Sequence, residues 1–174
     1  ERDVVVKQLG ERFKAQPGEI VERVSALQDE LKTTSKALQA VQAELAVAKS
    51  AALASKAVAV GDFQLLVERL DGVDGSGLQG AAQNLSDQLG EGAAVVIGGL
   101  PDPADQGKVI LVAAFGKAVI ANGQQAGKFI GGIAKRCGGG GGGRPNLAQA
   151  GGRDGAALDG ALAAASQELG DALS

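Results

Sequence analysis

The distribution of glycine is what most constrains this chain. Of its 28 glycines only Gly10 and Gly18 precede residue 61. Glycine costs a helix interior about 1 kcal/mol relative to alanine, so the glycine-poor front and the glycine-dense remainder cannot share one kind of structure. The chain therefore reads as two parts: a helical arm over residues 1–57 and a glycine-rich domain over 58–174.

Within the arm, residues 17–57 predict one long helix that starts at Pro17, which suits a first helical position, with Glu19 and Glu22 near the positive end of its dipole. One heptad position carries Pro17, Val24, Leu31, Leu38, Leu45 and Ala52, and the other Ile20, Leu27, Thr34, Val41, Ala48 and Ser55. A seam of that kind belongs to a coiled coil or an antiparallel helix pair. At about 1.5 Å per residue the rod extends on the order of 60 Å, longer than a domain of this size covers. Its stripe is expected to meet a partner helix or a second copy, and the sequence leaves open which. Upstream, Val5, Val6, Leu9 and Phe13 predict a short amphipathic helix ending near Ala15.

After Lys56 the periodicity shortens. Strands are predicted at 58–69, 93–98 and 108–115, the last two apolar throughout and so buried on both faces. Helices alternate with them at 76–89 and 124–137, and a last one is expected to be capped by Asp154 and to bury Leu158, Ala161, Leu162, Ala165 and Leu169. The alternation predicts a small α/β (α+β) domain with a mixed sheet behind the long helix. Phe13, Phe63, Phe115 and Phe129 are the only rings, so the core is built from Val, Leu, Ile and Ala.

Histidine is absent, which excludes from this segment taken alone a His-based metal centre and a Ser/His or Cys/His nucleophile system. The single cysteine, Cys137, forms no internal disulfide and no CxxC pair; it reads as a buried helix-end thiol, the alternative being a reactive nucleophile. No apolar run reaches the roughly 20 residues of a membrane span and no leader opens the chain, so a soluble, cytoplasmic protein with no membrane partner is expected. Its first residue is Glu1 and not Met, as in a piece of something longer.

Net charge is -3, but the charge is segregated. From Lys108 to Arg153 the chain carries Lys108, Lys117, Lys128, Lys135, Arg136, Arg144 and Arg153 and no acid at all, whereas the tail after Arg153 has acids and no base. Such a window is the electrostatic footprint expected where a polyanion docks, or a solvated face offset by acidic neighbours in the fold.

Inside that window lies KRCGGGGGGRPNLAQAGGRD, residues 135–154. Composition alone allows a flexible linker. In this setting bare glycine backbone also permits close approach to a ligand and turns N–H groups toward an anion, with Arg144 and Arg153 as forked phosphate donors and Asn146 and Gln149 as donors to ribose or base edges. It is neither a P-loop, since no GK[ST] follows, nor a GxGxxG turn.

GGGGGGRPNLAQAGG closely resembles the glycine motif of the DHH-associated domain, in the form found at the C-terminus of alanyl-tRNA synthetases. The resemblance extends to AGKFIGGIAKRCGG (126–139), KVILVAAF (108–115) and LGERFKAQPGEIVERVSALQDELK (9–32), and so covers essentially the whole chain. It implies a non-catalytic tRNA clamp on the outer corner of the L-shaped tRNA, where the D and T loops meet, that helps link aminoacylation with editing. The implied partners are tRNA, tRNA-Ala in particular, and the rest of the synthetase, with dimerisation through the 17–57 helix in some members. No cofactor is implied for this segment; ATP, magnesium and zinc belong to the parent enzyme. The site residues on this reading are Lys128, Lys135, Arg136, Gly138, Gly139, Gly140, Gly141, Gly142, Gly143, Arg144, Pro145, Asn146, Gln149, Gly151, Gly152 and Arg153. Two other functions compete: presenting nucleic acid to the metal centre of a DHH phosphoesterase or nanoRNase, for which the missing histidines are adverse, and acting mainly as an oligomerisation arm.

Overall fold

A computed structural model describes residues 2–16 and 18–174, apart from the side chains at 2–3, 43, 46–47 and 49–51. Helix α1 runs from Arg2 to Phe13. Lys14 takes a left-handed φ of 49° and Ala15 N donates to Gly10 O at 3.0 Å, which together close the helix. Helix α2 covers Ile20–Leu53, and Glu19 Oε2 accepts from Gln16 N at 3.1 Å, satisfying one of the donors ahead of its first turn. The expected start at Pro17 lies outside the described residues. The chain divides into two compact units, Glu1–Val41 and Gln42–Ser174.

The second unit carries the sheet. The single strand expected over 58–69 is a hairpin: β1 (Val58–Val60) and β2 (Phe63–Arg69) pair antiparallel around Gly61, whose φ of +58° makes the two-residue turn. Asp74 caps α3 (Gly75–Leu89) by accepting from Gly77 N at 2.8 Å. Next come β3 (Ala93–Gly99) and β4 (Val109–Phe115), in which every residue is buried, as their unbroken apolar runs require. A short α4 (Lys117–Ala121), not anticipated from the sequence, precedes α5 (Ala126–Arg136). Then β5 (Gly140–Gly143) and β6 (Leu147–Gly152) complete a six-stranded sheet of order β1-β2-β3-β4-β6-β5, in which β2 and β3 are parallel and the other neighbours antiparallel. The final helix, α6, spans Leu158–Leu173. Asp154 is not its cap, contrary to expectation: it stands one turn earlier, accepting from Ala157 N at 3.2 Å, because the chain needs the turn at Gly155–Ala157 before the helix can begin.

Alternation along the central strands sorts the core into two layers. Ala94, Val96, Leu111 and Ala113 face α5 and α6, while Val95, Ile97, Ile110 and Val112 face α3 and the end of α2 at Leu53. Phe115 and Phe129 meet at 5.9 Å between ring centroids, tilted by 51°, and so join β4 to α5. No helix among the described residues is long and apolar enough to cross a membrane.

Candidate nucleic-acid interface

The glycine segment is reached through the end of α5. Gly138 adopts φ +64°, Gly138 N donates to Lys135 O at 3.1 Å and Gly139 N to Ala134 O at 3.0 Å, the paired bonds that stop a helix on a left-handed glycine. The glycine run suggests a loop, but the chain forms a strand there. Gly140–Gly143 make up the edge strand β5, paired antiparallel with β6 through Gly140↔Gly151, Gly141↔Ala150, Gly142↔Gln149 and Gly143↔Ala148, around a turn of Arg144, Pro145 and Asn146. Arg144 N donates to Leu147 O at 3.0 Å. By the alternation of antiparallel ladders, Gly142 and Gly140 bond to β6, and Gly141 and Gly143 turn their peptide groups to the free edge.

Helix α5 lies against that edge, and glycine on both sides makes the approach possible. A Cβ on Gly127 would stand 2.5 Å from Gly143 O, and one on Gly131 would stand 2.7 Å from Gly141 O. Across the ladder, a Cβ on Gly141 would meet Ala150 Cα at 2.5 Å and one on Gly143 would meet Ala148 Cα at 2.8 Å; one on Gly139 would collide with Gly151 O. These five glycines are therefore packing requirements. Gly140 and Gly142 are different: a Cβ would find nothing within 4 Å at the first, and only Gly127 O, at 3.7 Å, at the second.

Paired residues of an antiparallel ladder share a face. Ala148 and Ala150 are buried on the α5 side, so Gln149 and Gly151, with Gly142 and Gly140 beside them, belong to the α3 side. Two open hollows lie there. One, of about 600 Å³, is bordered by Gly75, Lys108, Gly139, Gly140, Gln149, Gly151, Gly152 and Arg153; the other, of about 420 Å³, by Gln79, Gln83, Gly142, Gly143, Arg144, Asn146, Leu147 and again Gln149. Among the described residues, no carboxylate borders either. The two meet at Gln149 and make a groove floored by glycine and walled by amides, with Lys108 and Arg153 at one end and Arg144 at the other.

The structure thus brings together Gly139, Gly140, Gly142, Gly143, Arg144, Asn146, Gln149, Gly151, Gly152 and Arg153, with Gly138 and Pro145 in the exposed turns that flank β5; Gly141 borders neither hollow. Lys128, Lys135 and Arg136 are exposed on α5, which packs on the opposite face of the sheet, and they do not join the groove. Arg136 is also engaged: its Nη2 donates to Glu168 Oε1 at 2.7 Å. By contrast Lys108, Lys128, Lys135, Arg144 and Arg153 take part in no ion pair among the described residues. Sequence reasoning missed Gln79 and Gln83, whose i, i+4 spacing on a helix with no basic residue was the available signal, and it counted Lys108 as charge but not as part of the site. Cys137 is fully buried at the end of α5, as expected of a helix-end thiol, and burial followed by the nearby Asp154 pushes its pKa up.

The DHHA1 domain family matches residues 62–171. Alanine–tRNA ligases of Synechococcus sp. (strain WH7803) and Prochlorococcus marinus (strain MIT 9303) are 87% and 78% identical to this chain over 173 residues, 99% of its length and 19% of theirs. The chain thus spans about a fifth of the curated relatives it matches. Among solved structures, the C-Ala domain from Aquifex aeolicus alanyl-tRNA synthetase is similar with a TM-score of 0.51 and 28% identity, over 67% of this chain and 96% of that one.

Proposed function

Since the chain belongs to the DHHA1 domain family and matches the C-terminal region of alanyl-tRNA synthetases, we propose that it is the non-catalytic part of such an enzyme that holds tRNA by its elbow, the corner formed by the D and T loops. The observation that carries this reading is the glycine-floored groove, bordered among the described residues by no carboxylate, with Arg144 and Arg153 at its ends in no ion pair among those residues. A folded RNA corner presents closely spaced phosphates on a curved surface. Bare backbone admits it closely, and forked guanidinium groups pair with phosphate without requiring a particular base. In this role the module raises the affinity of the synthetase for tRNA and helps both aminoacylation and editing, while identity of tRNA-Ala is read elsewhere. ATP and magnesium chemistry is assigned to the remainder of the enzyme, and so is zinc, for whose His-based sites this chain offers no imidazole.

The test is filter binding of tRNA to the full chain across a salt series. Arg144→Ala with Arg153→Ala is expected to weaken binding of all isoacceptors and to reduce the slope of log affinity against log salt by about 2, about one for each phosphate that no longer meets a guanidinium. Affinity and slope both unchanged would remove the groove ends from the interface.

A further inference from the structure

We propose that the groove between α3 and the β5–β6 edge takes an unpaired nucleobase of the bound RNA, read by the carboxamides of Gln79, Gln83 and Gln149, with the flanking phosphates at Arg144 and Arg153; this rests on the RNA-binding reading above. Its middle and its ends differ in chemistry. The cations stand at the ends, and the stretch between is walled by neutral amides. A site for phosphate alone would place its cations where the anion sits. A carboxamide presents an acceptor beside a donor, the pattern that matches the hydrogen-bonding edge of a base.

The amides are free to act. Gln79 and Gln149 are half-buried, and neither side chain takes part in a hydrogen bond among the described residues. Gln83 donates from Nε2 to Asp87 Oδ1 at 3.0 Å, which fixes its orientation and leaves its oxygen to accept. Gln79 and Gln83 lie four residues apart and so on one face of α3. The floor gives an independent indication. Packing demands glycine at 139, 141 and 143 but not at 140 and 142, where a methyl group would meet open space or an ordinary contact. At 142 that contact is Gly127 O of α5, whereas Gly140, paired with Gly151, faces open space and keeps a bare peptide plane under the groove beyond what the fold needs, and a flat base fits against a flat peptide plane. With four phenylalanines in the chain and none bordering the groove, stacking on a ring is not the means of recognition here.

The experiment compares two fluorescent hexamers on the full chain by anisotropy: hexauridylate, and the same hexamer with abasic riboses, which carries the same phosphates. The unaltered chain is expected to bind hexauridylate about tenfold more tightly. Gln79→Leu with Gln83→Leu is expected to erase that preference while the salt dependence of tRNA binding persists, and a thermal melt by circular dichroism checks that this variant folds. Equal affinity of the unaltered chain for the two hexamers overturns the proposal, and so does a preference that survives in the folded double variant. If tRNA binding responds to Arg144→Ala and Arg153→Ala while the hexamers bind equally, only the base-reading inference fails. If tRNA binding itself is absent, the RNA-binding reading fails with it.

Discussion

Cys137 joins three parts of the second unit at one residue. It ends α5, its carbonyl accepts from Arg153 N at 2.8 Å and from Asp154 N at 3.1 Å, and a Cβ on Gly152 would stand 2.6 Å from its own Cβ. The thiol therefore sits under the turn that carries Arg153 to the groove, and its value there is as a small apolar filler. Burial and then Asp154 raise its pKa, so the folded state holds the thiol proton more firmly than the unfolded chain does. The stability linked to that proton is complete below the unfolded thiol's pKa of about 8.5 and declines as pH rises through the higher folded value. The same shift lowers the thiolate fraction at pH 8. A disulfide-exchange reagent such as dithionitrobenzoate should thus modify the native chain slowly and the urea-unfolded chain at the rate of a free thiol; rapid reaction with the native chain would contradict the burial.

At the scale of elements, the two kinds of glycine in β5 separate stability from recognition. Gly141→Ala puts a methyl group against the backbone of Ala150, and overpacking of that kind costs about 1–3 kcal/mol. Gly140→Ala has room and restricts the unfolded chain, so its stability should hold or rise by up to about 1 kcal/mol, while the new methyl group in the groove floor weakens RNA binding. Urea melts and tRNA titrations of the two variants separate these effects; equal destabilisation by both would mean that the register is not the one described. The same strand shows why part of the fold was hidden in the sequence. β3 and β4 were legible because two-sided burial demands an unbroken apolar run, and α3 and α5 because Leu78, Ala81, Leu85 and Ala126, Ile130, Ile133 repeat at helical spacing. β5 has no side chain from which to read a period, and glycine is poor in strands, so its pairing is dictated wholly by its neighbours. α4, with five residues, is too short for any period, and the turn at Gly61 sat inside an alternating run that continued on both sides. Of the site, the residues from 138 to 153 were visible as a motif. Gln79 and Gln83 were not, because they come from α3, distant in sequence, and reach the groove only through the fold.

For the whole molecule, topology turns a stretch of sequence into a surface: β4, β6 and β5 are adjacent in the sheet, so the acid-free window 108–153 gathers at one end of it. The first unit poses a different problem. Along α2, Leu31 is 69% exposed, Leu38 57% and Val41 61%, all on the heptad seam, and a continuous apolar stripe of that kind is what a partner helix covers. We expect a second copy to cover it. Leu31→Asp with Leu38→Asp then places two charges in the seam, and since both side chains are solvent-exposed within one chain, the variant should fold as before. Sedimentation of the full chain at micromolar concentration should give a dimer, and sedimentation of the double variant a monomer with an unchanged circular-dichroism melt of the sheet-bearing unit. A monomeric unaltered chain at that concentration would instead assign the seam to a helix of the same polypeptide. Loss of the dimer should leave the preference for hexauridylate intact, because every residue bordering the groove comes from the unit that starts at Gln42.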